Sequence, residues 1–94
     1  MLDIRPGPDG RLVLSGRFDA AEADRAQQVF RGLSATTTVD CSTLDYISSA
    51  GIAVIMDAYQ RLSSGGHALR LENATPRVRN VFVYAGLDKL LGIS

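Results

Sequence analysis

Two adjacent hydroxyls, Ser48 and Ser49, stand directly before Ala50-Gly51 and an apolar-periodic run that begins at Ile52. The pattern predicts a helix that starts near Ser48 or Ser49 and runs to about Ser63. The first N–H groups of a helix have no partner within it and carry the positive end of its dipole. A phosphate placed there gains hydrogen bonds and charge stabilisation. A hydroxyl at that point is accessible enough to be phosphorylated, which adds roughly −1.5 to −2 charges to a neutral loop. The domain itself should tolerate that group, while a partner docked over the same helix end should be repelled. Gly51 offers no side chain, so a partner backbone has room to approach. Serine is also a favoured N-cap, and simple capping is the competing account of both residues.

Other chemistry finds little material. A catalytic serine needs a base, and the one histidine, His67, lies beyond the helix and a Gly-Gly turn, with no Gly-x-Ser-x-Gly elbow in the chain. One His and one Cys, Cys41, do not make metal-ligand spacing, and no cofactor is expected. The chain therefore reads as a binding protein and not as an enzyme. Lys plus Arg equals Asp plus Glu at 10 each. The arginines at 31, 61, 70, 77 and 79 are spread over different segments, which argues against a nucleic-acid partner. No apolar stretch approaches the ~20 residues that span a bilayer, so direct membrane insertion is not expected. The single cysteine excludes an internal disulfide and fits a reducing cytoplasm. The N-terminus lacks the charged start and long apolar run of a signal peptide. Localisation is thus read as cytoplasmic.

The elements that must position the two serines follow from periodicity. The 94 residues, 46% hydrophobic, suit one compact domain over 1–94. Leu2 to Arg5 reads as an edge strand, Pro6 to Gly10 as a turn and Arg11 to Ser15 as the returning strand. Asp19 and Glu22 have the spacing of a capping box, before a helix with Ala23, Ala26, Phe30 and Leu33 on one face. Ser34 to Thr37 reads as a loop and Thr38 to Cys41 as a short buried strand. In the second helix Ile52, Ile55, Tyr59 and Leu62 form the apolar stripe, and Ser64-Gly65-Gly66 ends it. His67 to Glu72 alternates as a strand does. Thr75-Pro76 starts a third helix that turns Val78, Val81, Phe82 and Ala85 to the core. Gly86 stops it, and Asp88 to Leu91 adds one helical turn. The order β-β-α-β-α-β-α implies an α/β fold, a mixed sheet with helices against it.

The run from Val39 to Ile52, VDCSTLDYISSAGI, resembles the signature of the STAS domain, typified by bacterial anti-sigma factor antagonists. The likeness extends upstream through Gly16-Arg17-Phe18-Asp19. Downstream it takes in Gly65-Gly66, Asn73 to Val78 and Ala85-Gly86-Leu87, so it covers nearly the whole chain. It implies a mixed sheet with helices on one side. It also implies a partner of GHKL ATP-binding fold, both anti-sigma factor and serine kinase. That kinase phosphorylates the serine corresponding to Ser49, which releases the partner, and a PP2C-type phosphatase restores binding. Many members carry Asp where this chain has Ser48, which makes Ser48 the second choice for the modified residue. A different branch of the family implies an adaptor without phosphorylation, either a lipid-transporter subunit or a stressosome-like scaffold.

The docking surface expected from these readings comprises Asp19, Asp45, Tyr46, Ser48, Ser49, Ala50 and Gly51. Each has a second account. Asp19 caps a helix, Asp40 and Asp45 either hydrogen-bond the serine loop or serve turns, and Tyr46 is either a contact or core. Cys41 reads as a small buried hydrophobe.

Overall fold

The structure is a computed structural model and describes residues 1–93. Four strands, β1 (Leu2–Pro6), β2 (Leu12–Phe18), β3 (Thr37–Ile47) and β4 (Leu69–Glu72), form one sheet in that spatial order. β1 runs antiparallel to β2, while β2, β3 and β4 are mutually parallel. Two helices connect the parallel strands, α1 (Ala23–Arg31) between β2 and β3 and α2 (Ser49–Ser64) between β3 and β4, and a third, α3 (Pro76–Tyr84), follows β4. The mixed sheet with helices packed on one side is the expected architecture.

Alternation along the strands explains why one face is covered. Leu14, Phe18, Val39, Cys41, Leu44, Ile47, Leu69 and Leu71 point to the helices and are fully buried. Ala26 and Phe30 of α1, Val54, Ile55, Ala58 and Leu62 of α2, and Val78 and Phe82 of α3 close over them. Leu91 seals the bottom from a last turn in which its N–H bonds the Leu87 carbonyl at 3.2 Å. That turn is the one expected over Asp88 to Leu91.

Several boundaries differ from the expectation. Thr37 is buried and begins β3, which continues through Ile47, so the segment after Cys41 is strand and not loop. Two register shifts against β2, one between Asp40 and Thr43 and one between Leu44 and Tyr46, each set two residues in succession off the core, Ser42-Thr43 and Asp45-Tyr46. The buried face of α2 is Gly51, Val54, Ile55, Ala58 and Leu62, with Ile52 and Tyr59 only half-buried at its flanks. Ala85 is exposed, because α3 ends at Tyr84 before another turn could carry it inward. The capping box does not form. Asp19 precedes a single 3-10 turn, Ala20–Glu22, without a side-chain bond to it, and Glu22 instead accepts the Leu2 N–H at 2.9 Å. The Asp19 backbone carbonyl does the local capping, accepting Glu22 N–H at 3.1 Å.

Candidate docking site at the start of α2

The end of β2 and the end of β3 lie side by side, with Phe18 in register with Ile47. The Ser48 N–H donates to the Phe18 carbonyl at 2.9 Å, so the chain leaving β3 is fastened to the chain leaving β2. That bond sets Asp19 beside the Ser48-Ser49 pair. α2 then starts with Ser48 as N-cap, in extended backbone. Its Oγ accepts the Gly51 N–H at 3.2 Å and satisfies one of the free donors of the first turn.

The two serines are thereby separated. Ser48 is half-buried and its oxygen is committed to the helix, whereas Ser49 is the first helical residue and is exposed. No acidic side chain sits in the first turn of α2 itself, whose positive end favours an added negative charge. Ala50 is half-buried next to them.

Gly51 has a different role from the one expected. It is buried, and a Cβ on it would meet Ile47 Cγ1 at 2.8 Å and the Phe18 ring at 3.0 Å. Its missing side chain lets the first turn of α2 sit on the core and leaves no opening for a partner backbone. Ala50 and Ser49 present the outward side of that turn instead.

The acidic residues divide. Asp40 does not reach the serine loop: its Oδ1 accepts Ser42 N–H at 2.9 Å and Asn73 Nδ2–H at 3.4 Å, and these bonds serve the strand and the turn after β4. The Ser42 backbone donor holds the Asp40 carboxyl below its usual value. Asp45 is exposed on β3 and borders a surface cleft with Thr75, Pro76 and Arg77 at the start of α3. Among the described residues no hydrogen bond joins it to the serines. Asp19 is half-buried, and its Oδ1 is sealed from solvent with no hydrogen-bond partner. Tyr46 is neither core nor free: it lies half-buried on the open face of the sheet with the Arg17 guanidinium 4.4 Å from its ring centre. Arg17 was not among the expected site residues, and no spacing rule pairs it with Tyr46, because only the register of β2 against β3 brings them together.

His67 follows the far end of α2, roughly 24 Å from Ser49 along a helix of this length. Cys41 is buried, and burial pushes its thiol up to about 12. Among the described residues no group of His, Cys, Asp and Glu could hold a metal ion, and no helix is long and apolar enough to cross a membrane.

Sequence and fold comparisons meet this geometry. The family profile described as "Mlab, STAS domain" matches residues 4–92. The chain belongs to the STAS domain family. This STAS domain is 36% identical over 83 residues to the "Putative anti-sigma factor antagonist BtrV" of Bordetella bronchiseptica, covering 88% of this chain and 71% of that protein. An anti-sigma factor antagonist from Mycobacterium paratuberculosis superposes with a TM-score of 0.78 at 21% identity, over 99% of this chain and 83% of the other. SpoIIAA in its unphosphorylated form gives 0.77 at 19% identity, over 100% and 88%. The phosphorylated form of the Bacillus cell fate determinant SpoIIAA gives 0.71 at 17%, over 100% and 91%. At these identities the solved structures establish that the STAS fold is shared.

Proposed function

We propose that this STAS domain is an anti-sigma factor antagonist whose docking surface is centred on the first turn of α2 and switched by phosphorylation of Ser49. The observation that carries the reading is the exposure of Ser49 at the first helical position while its neighbour Ser48 is spent as the cap. A phosphate on Ser49 would meet the positive end of α2 and leave the cap intact, so the fold persists. A partner resting on the same turn would lose contact and meet roughly −1.5 to −2 charges. The names of the relatives support the antagonist reading, and SpoIIAA, which shares the fold, exists in both phosphorylated and unphosphorylated forms.

In this reading the partner is an anti-sigma factor with a GHKL-type ATP-binding fold that also acts as the serine kinase, and a PP2C-type phosphatase reverses the modification. Nucleotide belongs to the partner, and this domain binds without catalysing. The docking surface in this reading takes in Asp19, Asp45, Tyr46, Ser48 and Ala50 besides Ser49, and Gly51 supports the first turn of α2 from below.

The profile description names Mlab and not a sigma regulator, which favours a second reading. There the domain is an adaptor subunit that keeps the docking surface and leaves the serine unmodified. One experiment separates the two. The domain is incubated with the candidate kinase and ATP, and its peptides are weighed by mass spectrometry. One phosphate on the peptide that contains Ser49, absent in Ser49→Ala, supports the switch. Ser49→Asp should then bind the kinase far more weakly than Ser49→Ala. Equal binding by the two variants sinks the switch, and stable binding to a transporter ATPase without phosphorylation supports the adaptor.

A further inference from the structure

The Glu22 carboxylate is wanted by two sets of hydrogen bonds that exclude each other. Asp19 and Glu22 have the spacing of a capping box, in which Asp19 would accept the Glu22 N–H and Glu22 would reach back to the Asp19 N–H. The backbone is already set for it. Asp19 has the extended conformation of an N-cap, with φ −97° and ψ −179°, and Ala20–Glu22 form the turn that follows. The side chains are engaged elsewhere. Glu22 Oε2 accepts the Leu2 N–H of β1 at 2.9 Å, and Glu22 Oε1 accepts from Arg25 Nη2 at 3.0 Å. Arg25 in turn donates to the Leu2 carbonyl. Glu22 and Arg25 together latch β1, whose one strand neighbour is β2.

The latch leaves the other end of the turn unsatisfied. Asp19 Oδ1 is sealed from solvent without a hydrogen-bond partner, the one such side-chain atom among the described residues. An oxygen buried in that state destabilises the arrangement that holds it. Among the described residues the Asp19 N–H has no backbone partner either. Closing the capping box would satisfy both groups and would release Leu2.

We infer that Asp19 to Glu22 is a two-state switch: Glu22 either latches β1 through Leu2 or closes the capping box with Asp19, and the choice links the docking surface to the sheet edge. The exchange needs side-chain rotation and little backbone change, since Asp19 is already extended. Asp19 stands beside the Ser48-Ser49 pair, because the Phe18 carbonyl accepts the Ser48 N–H. A partner covering that corner strips water from the Asp19 carboxylate, which then needs the Glu22 N–H. Docking thereby favours the box and loosens β1. That last step rests on the docking function proposed for this surface, and the switch itself does not.

Water-exchange NMR on the full chain reads the switch without a partner, because the Leu2 amide donates to Glu22 and so reports the latch directly. Asp19→Ala cannot form the box, so exchange at Leu2 should slow about fivefold, the factor that a typical N-cap is worth. Asp19→Asn keeps an accepting oxygen and should exchange as the wild type does. Neither residue is part of the buried core, so both variants should stay folded. Arg25→Gln should do the opposite of Asp19→Ala, with faster exchange at Leu2 and slower exchange at Glu22. If Asp19 only steadies its own turn, Asp19→Ala will leave Leu2 unchanged or speed it, and the inference is overturned. It is overturned equally if Asp19→Asn behaves as the alanine variant does. With the candidate kinase bound, exchange at Leu2 should quicken, and binding without that change removes the link to docking. Absence of kinase binding counts against the docking function alone, and the free-domain comparison still decides the switch.

Discussion

Ser48 and Ser49 carry the same side chain and do different work because one step in the chain moves the oxygen from the cap to the outside of the first turn. Ser48→Ala should cost about 1 kcal/mol through the lost cap, whereas Ser49→Ala should stay within about 0.5 kcal/mol. Urea denaturation of the two variants measures the difference, and equal costs would mean that Oγ of Ser48 does not hold the turn. Gly51 tests the packing beneath. Gly51→Ala gains about 1 kcal/mol of helix propensity, but its Cβ has to displace the branch of Ile47 and the ring of Phe18. Overpacking of that kind costs about 1–3 kcal/mol, and neither neighbour is the free end of a flexible chain, so net destabilisation is expected. The sequence made the serine pair visible, since hydroxyls before an apolar-periodic run mark a helix start. It could not say which serine is the cap, because that depends on the Phe18–Ser48 bond across two strands. The role of Gly51 was hidden for the same reason, as was the fate of Asp19. A side chain spaced for capping is drawn off when a distant donor, here the Leu2 N–H, takes the Glu22 half of the box.

At the level of elements, long-range polar contacts close two weak points. β1 is an edge strand whose first outward N–H and C=O, both of Leu2, are met by Glu22 and Arg25 from the start of α1. Further along, Pro6 has no N–H to offer. The edge is thus blunted at its two ends against another strand. α1 has a similar dependence at its other end, where Arg61 of α2 donates to the Leu33 carbonyl at 2.7 Å and to the Phe30 carbonyl. A cation at a helix C-terminus also suits the dipole. Arg61→Ala should cost about 1–2 kcal/mol and loosen α1 against α2, read as faster amide exchange at the end of α1. If exchange there stays unchanged, the clamp contributes nothing. Local patterns identified every helix and every strand, but β3 was cut short at Cys41. The bulge at Ser42-Thr43 sets two exposed residues in succession, which breaks the alternation that marks a strand. Ser, Thr and Asp in that run then look like turn chemistry. The stripe of α2 was right at Ile55 and Leu62 and one step off at Ile52 and Tyr59, because Gly51 and Ala58, which let the helix lie close to the sheet, carry no hydrophobic signal of their own.

On the scale of the whole molecule, titration adds a pH dependence to this packing. Glu22 lies below its usual value of 4.5, chiefly because it accepts the Leu2 N–H and then because of Arg25. Asp40 lies below 3.8, chiefly through the Ser42 N–H. Both carboxylates bind protons more weakly folded than unfolded. Their contribution is complete above the unfolded values and is lost as pH falls through the folded ones. Cys41 acts in the opposite direction. Its value rises from 9.0 to about 12 through burial. The folded state holds that proton while the unfolded chain releases it, so stability falls as pH climbs from about 9 towards 12. Thermal melting across pH should therefore show a plateau with an acid limb and an alkaline limb. Glu22→Gln with Asp40→Asn should flatten the acid limb, since neither replacement titrates, and leave the alkaline limb in place. Cys41→Ala should do the converse. The same thiol, sealed among Val39, Leu44 and their neighbours, should resist a disulfide reagent at neutral pH until urea unfolds the chain. Reaction of the thiol in the folded state would show that β3 opens locally, and would mean that the core beneath the serine loop is less firmly closed than its packing implies.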